Sequence, residues 1–117
     1  MKSIIKIKEN RVFHRAYKKG DSLVGPYAVV YVMKNHIGKP RLGITTGKKI
    51  GNAVSRNRAK RVIYAAFRQC LPELRGGFDF IIVARPRILS VKSTEVAAAL
   101  IKLFKTYGIL KADENDE

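Results

Sequence analysis

The chain has 117 residues, 24 of them Lys or Arg and nine Asp or Glu, giving a formal net charge of +15 at pH 7. Hydrophobic residues make up 46%, an ordinary share for a folded protein, so disorder of the whole chain is excluded. The single cysteine, Cys70, excludes an internal disulfide and suits a reducing cytoplasm. No run of roughly 18 apolar residues predicts a membrane span, and lysines interrupt the N-terminal segment, unlike a secretory signal.

The charge is unevenly distributed. Four of the nine acids lie in residues 113–117, which we expect to form a disordered acidic tail. Residues 1–112 hold 24 basic and five acidic residues, a formal charge of +19, and are predicted to form a single RNA-binding domain. Because like charge at this density destabilises a compact chain, a polyanionic partner is expected.

The first half of the chain predicts a short helix and a set of strands. Residues 1–8 are expected to be a loose basic arm. Residues 9–19 predict a helix whose apolar stripe ends before Gly20, a residue typical of a left-handed helix end. Residues 22–24 and, more strongly, residues 27–34 are predicted strands, and the second alternates its side chains between two faces, with Ala28, Val30 and Val32 on one of them.

The second half predicts two longer helices. Residues 41–46 predict a strand, residues from about Asn52 to Cys70 a helix and residues 78–84 another strand, which together make a βαβ-like unit; a last helix is expected to stop at Gly108. The longer helix has a predicted buried arc of apolar residues, with Tyr64 on the opposite, solvent side: Ala59, Val62, Ile63, Ala66, Phe67 and Cys70. The predicted fold class is α+β, a single-domain sandwich of a mixed four-stranded sheet and three helices. The crossover between the strands at 41–46 and 78–84 is expected to be right-handed on general grounds.

The main functional signal is a run of cations. Residues 41–68 contain eight Lys or Arg and no acid. A charge run is most often a solvated helix face, but here no acid stands three or four residues away to relieve the repulsion. Lys48 and Lys49 also precede a helix start, where the macrodipole disfavours cations. Gly51 and Asn52 leave free N–H groups there, so the segment is predicted to bind phosphates.

A second signal is aromatic. Phe13 and Tyr17 share a stripe of the first helix, and Tyr31 lies on a strand face with Tyr27. These rings either pack in the core or form a platform for unpaired bases, and both roles hold if the first helix covers only part of the sheet. The acids are scattered, which argues against a two-metal nuclease site.

The motif RLGITTGKKIGNAVSRNRAKRVIYAAFR resembles the signature of the bacterial ribonuclease P protein subunit, with Arg56-Asn57-Arg58 at its centre. The segments FHRAYKKG and DFIIVARP resemble the first helix and penultimate strand of that family, so the similarity covers about residues 6–105. This family is the protein cofactor of a ribozyme whose RNA subunit cleaves precursor tRNA to free the mature 5′ end. The resemblance implies a ribosomal-protein-like fold with a left-handed crossover, in place of the right-handed one expected above.

The resemblance also assigns residues to two RNA contacts. The 5′ leader of the precursor would bind in a cleft between the first helix and the sheet, involving Phe13, Tyr17, Tyr31 and Thr45. The RNA subunit would bind the basic loop and helix, through Lys48, Lys49, Asn52, Arg56, Asn57, Arg58, Lys60 and Arg61. No catalytic residue, protein metal ligand or organic cofactor is implied, and Mg²⁺ would be bound mainly by the RNA subunit. The implied partners are the RNA subunit and precursor tRNA, in the cytoplasm, without a membrane or an obligate protein partner.

One departure and two alternative functions stay open. Tyr64-Ala65 stands where the family often has a polar pair such as Arg-Glu, so one expected cation of the helix is missing. A small ribosomal protein would share the fold and charge but not the long motif. A self-sufficient nuclease would need a carboxylate site that the scattered acids do not suggest.

Overall fold

A computed structural model describes residues 4–112 as three helices and one five-stranded sheet. The predicted acidic tail, residues 113–117, lies outside the described residues. The helices are α1 (Asn10–Lys19), α2 (Ala53–Cys70) and α3 (Ser93–Tyr107). The strands are β1 (Ile5–Lys6), β2 (Asp21–Val24), β3 (Ala28–Lys34), β4 (Arg41–Thr45) and β5 (Phe78–Ala84).

The sheet is mixed, with the strand order β1-β4-β5-β3-β2. β4 pairs in parallel with both β1 and β5, whereas β3 pairs antiparallel with β5 and β2. Because α2 joins the parallel neighbours β4 and β5, the predicted βαβ unit is confirmed. The left-handed sense of its crossover stays a prediction of the family resemblance.

The prediction of four strands was wrong, because the N-terminal arm adds a fifth. Within residues 4–7, expected to be loose, Ile5 and Lys6 pair with β4, and the Ile7 N–H donates to the Leu42 carbonyl over 2.8 Å. Ile4 and Ile7 are 8% and 7% exposed and pack into the cores on opposite sides of the sheet. Burial of these two side chains holds the arm against the sheet edge.

The main core lies between the sheet and the pair α2 and α3, and we call this side the closed face. The predicted apolar arc of α2, including Ala59, Ile63 and Phe67, is buried there. Gly108 ends α3 with a φ of 91°, the left-handed conformation that glycine adopts without strain, as predicted.

A smaller core lies under α1 on the other side, which we call the open face. Val12 and Ala16 of α1 pack there against Ile81 of β5. The predicted left-handed Gly20 was wrong: its backbone is extended, with φ −74°. A side chain is nonetheless excluded at Gly20, because a Cβ would lie 2.6 Å from the Ala16 carbonyl oxygen.

Candidate nucleic-acid interface

α1 covers only part of the open face, leaving a groove of about 440 Å³ at the C-terminal end of β4. The hydroxyls of Tyr17 and Thr45 are hydrogen-bonded over 2.8 Å, which joins α1 to β4 at this groove. The ring centroids of Phe13 and Tyr17 are 6.5 Å apart and those of Tyr17 and Tyr31 5.1 Å apart, both edge-to-face. We call this groove the aromatic cleft, lined by Ile7, Lys8, Asn10, Phe13, His14, Tyr17, Ile44, Thr45, Thr46 and Lys60.

The structure brings the four residues predicted for the leader together, in two layers. Phe13, Tyr17 and Thr45 line the aromatic cleft, and Tyr17 is 41% exposed. Tyr31 is not among the lining residues and instead contacts the Tyr17 ring from the sheet. Lys60, predicted to lie with the cations of the RNA-facing helix, lines this cleft as well.

The predicted cations surround the start of α2 rather than forming one stripe. Lys48 and Lys49 are exposed in the 3-10 turn before the helix, and Arg58 and Arg61 are exposed along it. Arg58, Arg61 and Lys92 line a depression of about 380 Å³ beside the start of α3, which we call the basic depression. Within residues 4–112, the ion pairs are Arg11–Glu9 and Arg41–Asp79, so none of the predicted RNA-facing cations is neutralised by an acid there.

Two residues of the basic motif differ from the exposed cations: Asn52 caps a helix, and Arg56 has a buried polar atom. The side-chain oxygen of Asn52 accepts a hydrogen bond from the Ser55 N–H over 2.9 Å, so it caps α2. The Nε of Arg56 is buried without a hydrogen-bond partner among the described residues. An unsatisfied buried donor costs about 1–3 kcal/mol, and a phosphate oxygen would satisfy this donor only after the Arg56 side chain turns towards solvent. The neighbouring Asn57 is exposed on the first turns of α2.

A third groove, of about 700 Å³, lies between β1 and α2 and was missed from the sequence. The Nζ of Lys6 lies 4.9 Å from the centroid of the Tyr64 ring, and the Cζ of Arg68 lies 5.2 Å from it. The three β-branched residues Ile4, Ile5 and Ile7 were the signal that could have predicted the strand β1. We call this the Tyr64 groove, lined by Lys6, Ile7, Lys8, Leu42, Ile44, Lys60, Arg61, Tyr64, Ala65, Arg68 and Gln69.

The groups typical of protein catalysis are sparse. In the part of the chain that the structure describes, no three His, Cys, Asp or Glu side chains lie close enough to hold a metal ion. Cys70 is buried, as predicted, and this burial raises the pKa of its thiol to about 12. Across residues 4–112, no helix is long and apolar enough to cross a membrane.

Comparisons with known proteins agree with the motif. The family model described as Ribonuclease P matches residues 1–108. The chain belongs to the ribonuclease P protein family. A relative from Thermoanaerobacter sp. strain X514, the "Ribonuclease P protein component", is 36% identical over 113 residues, covering 97% of each chain.

Solved structures of this family share the fold. The Staphylococcus aureus RNase P protein is 34% identical and superposes with a TM-score of 0.79, covering 93% of this chain and 100% of that one. The Thermotoga maritima RNase P protein is 31% identical with a TM-score of 0.77, covering 86% and 96%. The family resemblance drawn from residues 41–68 is therefore confirmed, together with an α+β fold of three helices and a mixed sheet.

Proposed function

We propose that this chain is the protein subunit of ribonuclease P. It binds the catalytic RNA subunit and the 5′ leader of precursor tRNA, and it assists the RNA-catalysed endonucleolytic removal of that leader. The observation that carries this proposal is the placement of an aromatic cleft directly beside Arg58, Lys60 and Arg61 of α2 in a member of the ribonuclease P family. Within residues 4–112, none of these three cations forms an ion pair.

The aromatic cleft has the chemistry needed for an unpaired RNA strand. Half-exposed rings offer faces on which bases stack, each stack being worth about 1–3 kcal/mol. Lys8 and Lys60 lie in the same lining and can pair with the phosphates. The hydrogen bond between the Tyr17 and Thr45 hydroxyls keeps the Tyr17 ring in place before RNA binds. A mature tRNA lacks the leader, so the cleft would distinguish precursor from product.

The cations around α2 serve the second RNA contact. Lys48, Lys49, Arg58 and Arg61 are exposed, and their binding to the RNA subunit would release counterions from its phosphates. The buried Nε of Arg56 becomes a further phosphate donor when this side chain turns outward on binding. Asn52 contributes mainly by capping the helix that carries these groups.

In this proposal the active site lies in the RNA subunit, and Mg²⁺ bound mainly by that RNA supplies the metal chemistry of phosphodiester hydrolysis. The protein neutralises phosphates and positions the leader, which lowers the concentration of Mg²⁺ needed for a productive complex. We place this ribonucleoprotein in the cytoplasm, a compartment that suits the free thiol of Cys70. The proposal requires no organic cofactor and no further protein partner.

Cleavage of a precursor tRNA by a bacterial ribonuclease P RNA, at a Mg²⁺ concentration where the RNA alone is nearly inactive, tests the proposal. Adding this protein should restore cleavage and produce the correct mature 5′ end. A known subunit assayed in parallel is the positive control. Failure of this protein beside a successful control would reject the proposal and favour a small ribosomal protein, which should co-sediment with ribosomal subunits. Cleavage by the protein free of RNA would instead indicate a self-sufficient nuclease.

The phosphate contacts have a separate test in the salt dependence of RNA binding. Arg58→Ala should reduce the slope of log affinity against log salt by about one unit, since one phosphate contact is lost. Lys102→Ala, which removes an exposed cation of α3 that lines none of the three grooves, is the matched control and should leave the slope unchanged. An unchanged slope for Arg58→Ala would show that Arg58 contacts no phosphate.

A further inference from the structure

The Tyr64 groove lies on the closed face of the sheet. The proposed function assigns an RNA contact to the aromatic cleft and to the cations of α2, but it assigns no ligand to this groove. Its floor is apolar, since Leu42 and Ile44 point towards α2. Its walls are the edge strand β1 and α2, with the small side chain of Ala65 leaving room between them.

The lining combines positive charge with an aromatic ring. Five of its residues are basic and none is acidic: Lys6, Lys8, Lys60, Arg61 and Arg68. Lys6 and Arg68 lie within cation–π distance of Tyr64, and an Arg68 N–H also donates to the Tyr64 hydroxyl over 3.1 Å. A ligand that suits this lining has negative charge for the cations and a planar ring for the aromatic and apolar surface. A nucleotide meets both requirements.

The groove is continuous with the aromatic cleft. Ile7, Lys8, Ile44 and Lys60 line both depressions, which meet where the short strand β1 ends. The groove shares only two lining residues, Arg61 and Ala65, with the basic depression. An RNA strand in the aromatic cleft can therefore continue into the Tyr64 groove along a shared wall.

We propose that the Tyr64 groove binds unpaired leader nucleotides of precursor tRNA that lie beyond those held in the aromatic cleft. A base stacks on Tyr64 in place of the Lys6 ammonium group, which moves to a leader phosphate. Lys8 and Lys60, present in both linings, bind the phosphates between the two sites. This inference rests on the proposed function, because the leader must occupy the cleft before it reaches the groove.

A fluorescent reporter tests the occupant directly. The chain contains no tryptophan, so Tyr64→Trp introduces a single indole in the groove. The variant is assembled with the RNA subunit and titrated with precursors whose leaders are lengthened one nucleotide at a time. Emission should stay unchanged with mature tRNA and with leaders that end inside the cleft, and should change once the leader is long enough to reach the indole.

Two results of this titration would overturn the inference. A change on adding the RNA subunit alone, with no further response to any leader, would assign the groove to the RNA subunit. No change at any leader length would leave the groove without a nucleotide ligand.

Affinity gives a second test that does not depend on the indole. Tyr64→Ala should weaken binding of the long-leader precursor about tenfold, the loss expected for one base stack, and should not affect the short-leader precursor. Tyr64→Phe keeps the ring and should bind almost as the wild type. Equal losses for both leader lengths, or no loss for the long leader, would contradict the inference. Restoration of short-leader cleavage by the wild-type protein tests the proposed function separately, because that substrate does not reach the groove.

Discussion

Two aromatic triads lie on opposite faces of the same sheet, and they differ mainly in what covers them. On the closed face, Phe67, Phe80 and Phe104 stand edge-to-face, with successive ring centroids 5.3 and 5.2 Å apart. All three are fully buried between the sheet, which carries Phe80, and the helices α2 and α3, which carry Phe67 and Phe104. Their contacts serve the stability of the fold, since no solute can reach them.

On the open face, Phe13, Tyr17 and Tyr31 form a second edge-to-face series, but α1 leaves it partly exposed. Rings with similar edge-to-face geometry therefore have different roles, depending on how far each ring is exposed to solvent. A buried ring has lost all its contact with water on folding, so its burial stabilises the fold. A half-exposed ring still has apolar surface in contact with water, and a ligand that covers this surface gains binding free energy. The comparison predicts that substitution of a buried ring changes mainly stability, and that substitution of a half-exposed ring changes mainly RNA binding.

The largest effect is expected from the central ring of the buried triad. Phe80→Ala should lower the free energy of unfolding by about 3–5 kcal/mol, because it leaves a cavity between Phe67 and Phe104. Urea unfolding followed by circular dichroism measures the loss. Phe13→Ala is the matched control and should cost less, because its ring is only partly buried. Equal losses for the two variants would break the comparison.

A smaller effect is expected from a buried ion pair at the other end of the open face. Asp79 is 4% exposed and accepts hydrogen bonds from Arg41 over 2.7 and 2.6 Å, which raise the pKa of the Arg41 guanidinium above its ordinary value. Arg41→Met leaves this carboxylate with fewer donors and should lower the free energy of unfolding by about 1–3 kcal/mol.

The exposed pair Arg11–Glu9, 2.8 Å apart, provides the control for Arg41. Arg11→Met should cost less than about 1 kcal/mol, since solvent screens such pairs. RNA affinity of the folded Arg41→Met protein should be nearly unchanged, because Arg41 starts β4 and the aromatic cleft lies at its end. A selective loss of RNA binding would place Arg41 in the interface and contradict this division.

The sequence predicted the helices and longer strands well, but it predicted less well which elements pack beside one another. The apolar arc of α2 and the alternation of β3 are local patterns, and both were confirmed. β1 was missed because a two-residue strand has too short a pattern, and its pairing depends on β4, far along the chain. Tyr64 was likewise placed on the solvent side of α2, since its groove exists only once β1 packs beside that helix.

The candidate site shows the same limit. The family resemblance predicted twelve site residues around α1, β4 and α2. The structure brings six of them to the aromatic cleft and the basic depression: Phe13, Tyr17, Thr45, Arg58, Lys60 and Arg61. The resemblance could not show that Tyr31 lies behind Tyr17 or that Lys60 points to the cleft, because both depend on how the helices pack on the sheet. Their roles in binding RNA stay predictions.

The smallest expected effect on stability concerns the buried thiol of the closed face. Burial raises the pKa of Cys70 from 9.0 to about 12, so the native state favours the neutral thiol. The stabilisation that this provides is fully present below pH 9 and is lost as the pH rises towards 12. At pH 8 a thiol-specific disulfide reagent should modify the native protein far more slowly than the urea-unfolded protein. Equally fast modification of both states would show that the closed face opens readily.

The central claim is that the open face binds the leader, and discrimination between precursor and mature tRNA tests it most directly. The dissociation constants of both RNAs are measured for the complex with the RNA subunit, using wild-type protein, Phe13→Ala and the control Val24→Ala, which truncates a side chain 65% exposed on β2. Phe13→Ala should weaken precursor binding by about 1–3 kcal/mol while mature tRNA binding changes little, and Val24→Ala should resemble the wild type. Equal weakening for both RNAs, or no weakening for the precursor, would contradict the claim.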